Sequence, residues 1–309
     1  MNTEVSNPPS ESAWCGAAAP VIRKLGQYEL LFITDRTYAL DAGQMFGVAP
    51  KSLWSKVTKA DAENRLWLGM NSLLIRLNPQ AAAGEGRNIL IETGAGNKLN
   101  DRQRAIWQVD PQRDFLTRLA HAGTAPEAVD MVVNTHLHFD HCGWNTVRDA
   151  EGRVRAAFPR ARYYLQRGEW EHAREQHERD RISYLSDNYD PLVSDGQMTL
   201  LEGERELAPG IQVEVQPGHT RHQQIVIIHS AGETACYLGD LLPTHWHLQP
   251  TWITAFDLDP LAAIASKHRV LERARRENWL MIFTHDPEWP WARVEFTQGK
   301  YRWVKDSNL

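Results

Sequence analysis

The hydrophobic pattern of the chain consists of short apolar runs separated by segments with helical periodicity. The short runs are bounded by turn-forming residues, which is typical of β-strands, whereas apolar positions at helical spacing indicate helices. The predicted strands are residues 28–33, 72–77, 88–92, 130–136, 162–166, 211–216, 223–230, 234–240 and 279–285. The predicted helices lie within 110–130, 167–177 and 260–277, and a terminal hairpin joins 292–296 to 301–306. This mixture of strands and helices predicts an α/β fold.

The organisation of the chain predicts one large domain after a short tail. Residues 1–20 are rich in Ser, Pro, Ala and Glu and show no periodicity, so we expect a flexible N-terminal tail. Over residues 21–309 no repeat, low-complexity tract or linker divides the sequence. With 309 residues, 42% of them hydrophobic, the chain can bury a substantial core. We therefore predict a single domain over residues 21–309.

Charge and cysteine content narrow the classes of partner. The formal net charge of -5 supplies no basic field for a polyanion, so we expect no nucleic-acid partner. No apolar stretch approaches the roughly 20 residues needed to span a bilayer, so we expect no membrane partner. Cys15, Cys142 and Cys236 form no pairing pattern, which indicates free thiols in a reducing compartment. The N-terminus does not resemble a secretion signal, and the sequence predicts a cytoplasmic protein that acts on small molecules.

Candidate chemistry is concentrated at the end of the predicted strand 130–136. His136 and His138 are two residues apart, so in an extended chain their imidazoles project to one side. Asp140 and His141 follow where the strand gives way to a turn, and adjacent residues there can face a second point. This spacing indicates that one short segment begins two metal sites.

Four donors do not complete two metal sites, because zinc prefers about four donors and a catalytic ion keeps one position for water. Three further candidates each follow an apolar run, where a sheet edge can hold a ligand: His219, Asp240 and His285. Taken singly, a His or Asp after a strand is typical of a cap or a solvated turn residue. Taken with the first motif, the three residues predict a larger ligand set.

The order of these residues, HxHxDH followed by His, Asp and His, resembles the metallo-β-lactamase superfamily over nearly all of the chain after residue 20. The resemblance implies an αββα sandwich with a binuclear centre at one edge. It implies His136, His138 and His219 on the first metal, Asp140, His141 and His285 on the second, and Asp240 bridging them. All seven positions are filled, which implies two divalent ions, with zinc favoured and iron, manganese or cobalt as alternatives.

The chemistry expected of such a centre is hydrolysis. Two divalent ions lower the pKa of a bound water and stabilise an oxyanion, so a metal-bridging hydroxide can attack a carbonyl. Asp140 is the catalytic candidate that carries the proton to the leaving alkoxide, because it can bind a metal through one oxygen and keep the other near the carbonyl. We expect a metal-dependent hydrolase that opens a lactone or cleaves a related carboxylic ester.

Residues 41–54 are apolar and glycine-rich, and similar stretches occur in superfamily members that are quorum-quenching N-acyl-homoserine-lactone lactonases. The resemblance implies that Met45, Phe46 and Trp54 form an apolar wall for an acyl chain, with an ordinary packed arm as the alternative. One position departs from those lactonases, which carry a tyrosine three residues after the bridging aspartate, where this chain has Pro243. A hydroxyl that assists the lactone carbonyl would therefore come from another residue.

Several residues near the ligands have two interpretations. His245 and His247 have ligand-like spacing, but the ligand set is already full, so we predict that they line the pocket without binding metal. His222 either orients a ligand, as a hydrogen-bonding partner behind the metal, or is an exposed turn residue. Cys142 offers either a zinc-binding thiolate or small-residue packing, and the resemblance favours packing.

The sequence leaves other functions open beside lactone or ester hydrolysis. The same metals can support cleavage of a phosphotriester or phosphodiester, or hydrolysis of a thioester. A metal-binding sensing module without turnover is the non-enzymatic alternative. For quaternary structure, an apolar N-terminal arm is a candidate contact in a homodimer.

Overall fold

The computed structural model describes residues 20–77, 88–109 and 114–306. Cys15 and the predicted tail, apart from Pro20, lie outside these ranges. In chain order the strands are β1 (Val21–Leu25), β2 (Tyr28–Asp41), β3 (Arg65–Arg76), β4 (Asn88–Ile91), β5 (Met131–Val133), β6 (Thr146–Arg148), β7 (Val154–Ala156), β8 (Arg162–Gln166), β9 (Met198–Leu201), β10 (Arg205–Ala208), β11 (Ile211–Val215), β12 (Gln224–Ser230), β13 (Glu233–Tyr237), β14 (Leu280–Ile282), β15 (Trp291–Thr297) and β16 (Lys300–Val304). The helices are α1 (Ala42–Phe46), α2 (Lys51–Trp54), α3 (Asp101–Trp107), α4 (Phe115–His121), α5 (Phe139–Cys142), α6 (Arg167–Glu175), α7 (Asp190–Ser194) and α8 (Pro260–Arg276).

The strands of the described ranges form two seven-stranded sheets and a small hairpin of β6 and β7. The first sheet has the order β1-β2-β3-β4-β5-β8-β9, and the second has the order β10-β11-β12-β13-β14-β15-β16. In the first sheet β4, β5, β8 and β9 are parallel neighbours. In the second, two successive antiparallel pairings give β11 the direction of β13, and β14 runs parallel to β13. The carboxyl ends of these strands therefore collect at one edge of each sheet.

Alternating side chains of the strands divide the interior into three apolar layers. On β12, Val226 and Ile228 join the cluster between the sheets, whereas Ile225 and Ile227 join the cluster under α8. On β3, Leu73 and Ile75 likewise face the space between the sheets. The opposite face of the first sheet packs against α4, α6 and α7. Helices thus cover both outer faces, and the predicted αββα sandwich is confirmed.

The cluster between the sheets draws residues from β1 through β15, so both sheets share one core. This shared core supports a single domain, although the predicted boundary at residues 21–309 stays a prediction. None of the helices in the described part of the chain is long and apolar enough to cross a membrane.

The largest differences from the predicted elements concern the two longest strands and the strand before the metal motif. β2 and β3 extend well beyond the predicted 28–33 and 72–77, because polar residues such as Asn71 are buried where the two strands pair. β5 is shorter than predicted: it ends at Val133, and the next residues form a loop. The terminal hairpin turns through Gln298 and Gly299, both at positive φ, as the sequence predicts.

Candidate metal centre

Four loops at the carboxyl edges of the sheets carry the residues predicted as ligands. His136 and His138 lie in the loop after β5, and the short helix α5 carries Asp140 and His141. The other three follow β11, β13 and β14 in turn: His219, Asp240 and His285. Their donor atoms fall into two groups, each within 4.8 Å: His136, His138, His219 and Asp240 in one, and Asp140, His141 and His285 in the other. The fold therefore brings together all seven residues from four separate parts of the sequence.

Asp240 lies between the two groups. Its Oδ1 is 3.0 Å from Nε2 of His285 and 3.4 Å from Nε2 of His141. Its Oδ2 is 3.3 Å from Nε2 of His219 and 4.0 Å from Nε2 of His136. Each carboxylate oxygen faces a different group, so Asp240 could contribute one oxygen to each of two cations.

Hydrogen bonds behind the histidines set which ring nitrogen faces the centre. Nδ1 of His219 lies 3.0 Å from Oδ1 of Asp257, and Nδ1 of His285 lies 2.8 Å from the carbonyl oxygen of Gly69. A carboxylate and a carbonyl only accept hydrogen bonds, so both Nδ1 atoms carry the proton. In the neutral imidazoles Nε2 then presents a lone pair to the centre, as a metal ligand does.

Two pairs of ring nitrogens face each other across the centre. Nε2 of His219 is 3.1 Å from Nδ1 of His138, and Nε2 of His285 is 3.2 Å from Nε2 of His141. In addition, Nε2 of His136 is fully buried without a hydrogen-bond partner. Two ring nitrogens at this separation have either a proton or a cation between them. The donor set therefore fits divalent metal ions, and imidazole with carboxylate suits zinc among others.

The electrostatics of the centre agree with this fit. Burial lowers the pKa of His136 and of His138 well below the ordinary value, and neighbouring histidines lower both pKa values further. Burial alone would raise the pKa of Asp240, but the imidazoles of His285, His141 and His219 hold that pKa well below its usual range. His136 and His138 are thus neutral and Asp240 is ionised, which are protonation states that bind metal. Burial alone would lower the pKa of His141 and of His219, but the Asp240 carboxylate raises both pKa values above the ordinary value.

Glycines precede two of the candidate ligands. Gly239 has a φ of +52°, and a Cβ there would lie 2.8 Å from Oγ1 of Thr135. Gly218 has a φ of +152°, and a Cβ there would lie 2.4 Å from Cα of Ala263 on α8. Only glycine fits both the backbone conformation and the space at these positions. The glycines therefore hold the loops of Asp240 and His219 against the neighbouring elements.

Two buried carboxylates support the histidine loops, and neither was predicted from the sequence. Glu92 adopts a φ of +62°, accepts the Thr135 N–H at 2.7 Å, and places Oε2 3.6 Å from Nδ1 of His141. Glu169, on α6, is fully buried and accepts hydrogen bonds from the Leu137 N–H and from the hydroxyls of Thr220 and Tyr184. Leu137 separates His136 from His138, and Thr220 follows His219. Glu169 therefore joins the loops of these candidate ligands through hydrogen bonds.

A cleft of about 480 Å³, including its open mouth, leads to the two groups. Among the described residues, its wall beyond the candidate ligands consists of Tyr38, Leu40, Met45, Trp107, Phe139, Ser183, Pro243, Thr254 and Phe256. Trp107 and Phe139 stack with ring centroids 4.0 Å apart. Most of this wall is apolar, and the sequence analysis identified only Met45 and Pro243 within it.

Phe46 and Trp54, predicted to form the cleft wall with Met45, lie behind it instead. The Phe46 ring stacks on the Trp54 ring with centroids 5.2 Å apart. The His247 ring also stacks on the Phe46 ring, with centroids 5.0 Å apart. These aromatic contacts bury both side chains in the core under α1 and α2. The alternative of a packed arm describes these two residues, whereas Met45 does reach the cleft.

His245 and His247, also predicted to line the pocket, are held by hydrogen bonds away from the described cleft wall. Nδ1 of His245 lies 2.6 Å from Oδ2 of Asp286. Nδ1 of His247 lies 2.8 Å from the Thr244 hydroxyl, and its Nε2 lies 2.8 Å from the Met45 carbonyl. His247 therefore fixes the backbone of Met45, whose side chain lines the cleft.

The structure also places His222 and Cys142. The His222 ring packs against Gly168 at the start of α6, where a Cβ would come within 2.5 Å of it, and its role in orienting a ligand stays a prediction. The Cys142 thiol donates to the carbonyls of Leu137 and His138, and burial raises its pKa well above the ordinary value. Cys142 therefore packs as a small residue and belongs to neither group of candidate ligands.

Tyr38 is a polar residue of the cleft, not predicted from the sequence, that contacts the candidate ligands. Its hydroxyl lies 3.2 Å from Oδ2 of Asp140 and 3.2 Å from Nδ1 of His285. Burial raises the pKa of Tyr38 well above its ordinary value, and the charges of Asp140 and Asp240 raise it further. The hydroxyl thus stays protonated. No local motif marks it, because Tyr38 follows the polar residues 34–37, beyond the apolar run 28–33, and only the pairing of β2 with β3 shows that the strand continues to it.

Two proteins similar to this chain are described as a lactonase and as a probable metal-dependent hydrolase. An N-acyl homoserine lactonase from Bacillus cereus is 28% identical over 175 residues, which is 56% of this chain and 62% of that protein. The chain thus matches less than two thirds of that relative's length. A crystal structure described as a probable metal-dependent hydrolase from Staphylococcus aureus is 29% identical, with a TM-score of 0.80 over 92% of this chain and 99% of that chain.

A second solved structure supports the fold. AidC, described as a dizinc quorum-quenching lactonase in complex with a product, has a TM-score of 0.74 at 20% identity, over 94% of this chain and 98% of that chain. The sequence model of the metallo-beta-lactamase superfamily matches residues 66–285, which include all seven candidate ligands. Because that match covers well over half of the chain, the protein belongs to the metallo-β-lactamase superfamily.

Proposed function

We propose that the protein is a hydrolase that binds two divalent metal ions, zinc in the first instance, and opens a lactone or cleaves a related carboxylic ester. The observation that carries the proposal is the position of Asp240, whose two oxygens face different groups of histidines. The ions would be held by His136, His138 and His219 on one side, by Asp140, His141 and His285 on the other, and by Asp240 between them.

Two bound divalent ions would supply a Lewis acid for the acyl carbonyl and lower the pKa of a water molecule. The chain itself must then bring the ester to that point and move one proton. Asp140 lines the cleft, and its side chain is 11% exposed there. The acyl carbon gains an oxygen from water, the bond to the leaving oxygen breaks with its electron pair, and Asp140 carries the proton lost by the water to that oxygen.

The composition of the cleft supports a neutral substrate with an apolar acyl group. Leu40, Met45, Trp107, Phe139 and Phe256 line the cleft. Among the described residues of its wall there is no Lys or Arg that could pair with an anionic substrate group. Burial of an acyl chain against these side chains stabilises the complex by about 0.8 kcal/mol per CH₂. The lactonase relative from Bacillus cereus supports N-acyl homoserine lactones as the first substrates to test, and quorum quenching as the role they would serve.

A substrate panel on protein of known metal content tests this proposal. The panel contains N-hexanoyl homoserine lactone, a carboxylic ester, a neutral phosphotriester, a phosphodiester and an acyl thioester, with lactone opening followed by proton release. We expect kcat/KM for the lactone or the ester to exceed the other values by about 100-fold, since these substrates match both the apolar wall and the carbonyl chemistry.

Two results of the panel would contradict the proposal. A protein that cleaves the phosphotriester or the thioester but neither the lactone nor the ester is a hydrolase of another substrate class. A protein that contains two metals per chain and turns over no member of the panel is a metal-binding module without hydrolytic activity.

A further inference from the structure

Tyr38 lies on β2 where the strand passes the metal-binding groups. The pairing of β2 with β3 shifts register between Thr34 and Thr37, directly before this residue. Such a bulge changes the direction in which the following side chains point. Tyr38 is 2% exposed, and its side chain lines the cleft beside Asp140, His285 and Pro243. The strand thus places one phenolic hydroxyl beside the candidate ligands, in a cleft whose wall is mostly apolar.

The hydrogen-bonding capacity of the neighbours determines what this hydroxyl does. Nδ1 of His285 already carries a proton, because it lies 2.8 Å from the Gly69 carbonyl, which can only accept. The Tyr38 oxygen, 3.2 Å from the same Nδ1, can therefore only accept from it. Its single proton is left for Oδ2 of Asp140, 3.2 Å away. Tyr38 thus accepts from His285 and donates to Asp140.

The hydrogen bond from Tyr38 is made to Asp140, the carboxylate that the proposed function assigns to proton transfer. Oδ2 of Asp140 lies 3.6 Å from Nε2 of His285 and 3.7 Å from Nε2 of His141, so this oxygen faces the second group of donors. A donor hydroxyl on the same oxygen restricts rotation of the carboxyl group about its terminal bond. The second oxygen of Asp140 is then held in a fixed direction relative to the cleft.

We propose that Tyr38 is a positioning residue: its hydroxyl fixes Asp140 so that this carboxyl group delivers a proton to the leaving oxygen of the ester. The inference rests on the proposed hydrolase function. In the step concerned, the bond from the acyl carbon to the leaving oxygen breaks, the electron pair stays on that oxygen, and the proton from Asp140 neutralises it. Removal of the hydroxyl leaves Asp140 present but poorly oriented.

Because Asp140 delivers its proton to the leaving oxygen, the effect of removing the Tyr38 hydroxyl depends on the leaving group. An alkoxide is a strong base and needs a proton as the bond breaks, whereas 4-nitrophenolate leaves as a stable anion without one. In metal-loaded Tyr38→Phe we expect kcat for ethyl hexanoate to fall by about tenfold or more and kcat for 4-nitrophenyl hexanoate by less than about twofold. KM for both esters should change by less than about twofold, since the acyl group is the same.

Both esters are measured on one preparation, so an inactive or misfolded fraction of the variant cancels in the ratio of the two kcat values. Tyr163→Phe is the matched control, because Tyr163 is a fully buried tyrosine whose hydroxyl donates to the Asn145 carbonyl outside the cleft. Its ratio should equal that of the parent protein. Metal content is measured for all three proteins.

A ratio in Tyr38→Phe that equals the parent ratio, whether both rates fall together or neither falls, overturns the inference and leaves the proposed function in place. A rise in KM at unchanged kcat also overturns it, because Tyr38 would then act in binding. If metal-loaded parent protein hydrolyses neither ester and no lactone, the proposed function is contradicted first, and this inference with it.

Discussion

Asp240→Ala is expected to lose bound metal and to lower kcat/KM for the best substrate by at least about 1000-fold, a loss of roughly 4 kcal/mol of transition-state stabilisation. The reason is the position of the carboxylate between the two groups of donors, with one oxygen toward His285 and the other toward His219. Without it, each group loses a donor and the buried imidazoles lose the anion that faces them. Metal content per chain and kcat/KM, measured on the same sample, check the result.

The matched control for this variant is Asp195→Ala, which removes an exposed aspartate at the carboxyl end of α7. We expect it to retain the parent metal content and activity. An Asp240→Ala protein that keeps two ions per chain and activity within about tenfold of the parent would show that the carboxylate does not bridge the site.

Removal of the metal is expected to destabilise the folded protein substantially. Without a cation, Nε2 of His219 faces Nδ1 of His138 at 3.1 Å, and Nε2 of His285 faces Nε2 of His141 at 3.2 Å, all in buried positions. A metal ion that binds only the folded state at 1,000 times its Kd stabilises that state by about 4 kcal/mol. The Tm of chelated protein should therefore be clearly lower than the Tm of metal-loaded protein.

The same two Tm measurements on Asp240→Ala serve as a control. The Tm of this variant should change little on addition of metal, because its site is incomplete. Equal Tm values for chelated and metal-loaded parent protein would contradict the idea that the seven side chains hold ions in the folded state.

The ligand loops were predictable because the signal is local. His136, His138, Asp140 and His141 occupy six consecutive positions, and this spacing alone suggests two binding points. The predicted end of the preceding strand at His136 was wrong, because β5 ends at Val133 and the first two histidines lie in a loop. The loop is held in place by long-range contacts, including the hydrogen bond that the Thr135 N–H donates to Glu92, which no local spacing can reveal.

Most of the residues that support and line the site were not predictable for the same physical reason. Asp257, Glu169 and Tyr38 reach the centre only through tertiary packing, and each lies in a stretch without any motif. An apolar residue such as Phe46 has the same sequence signature whether it faces a substrate cleft or the core. Its burial between Trp54 and His247 therefore had to be seen in the structure.

Pro243 shows how a departure from a family pattern can be interpreted once the fold is known. With proline at this position, a hydroxyl at the centre has to come from another residue. Pro243 and Tyr38 both line the cleft, and the Pro243 carbonyl accepts the His285 N–H at 2.9 Å. The tyrosine hydroxyl at this centre comes from β2, on the opposite sheet from the loop that carries Pro243.

The most direct test of the account is a titration of metal-free protein with zinc, in which hydrolysis of a lactone or ester is measured at each ratio of zinc to chain. The account predicts no activity without metal and a rise that ends at two equivalents per chain, because the seven donors form two groups joined by Asp240. Full activity in protein verified to be free of metal, or a rise that ends at one equivalent, would contradict it.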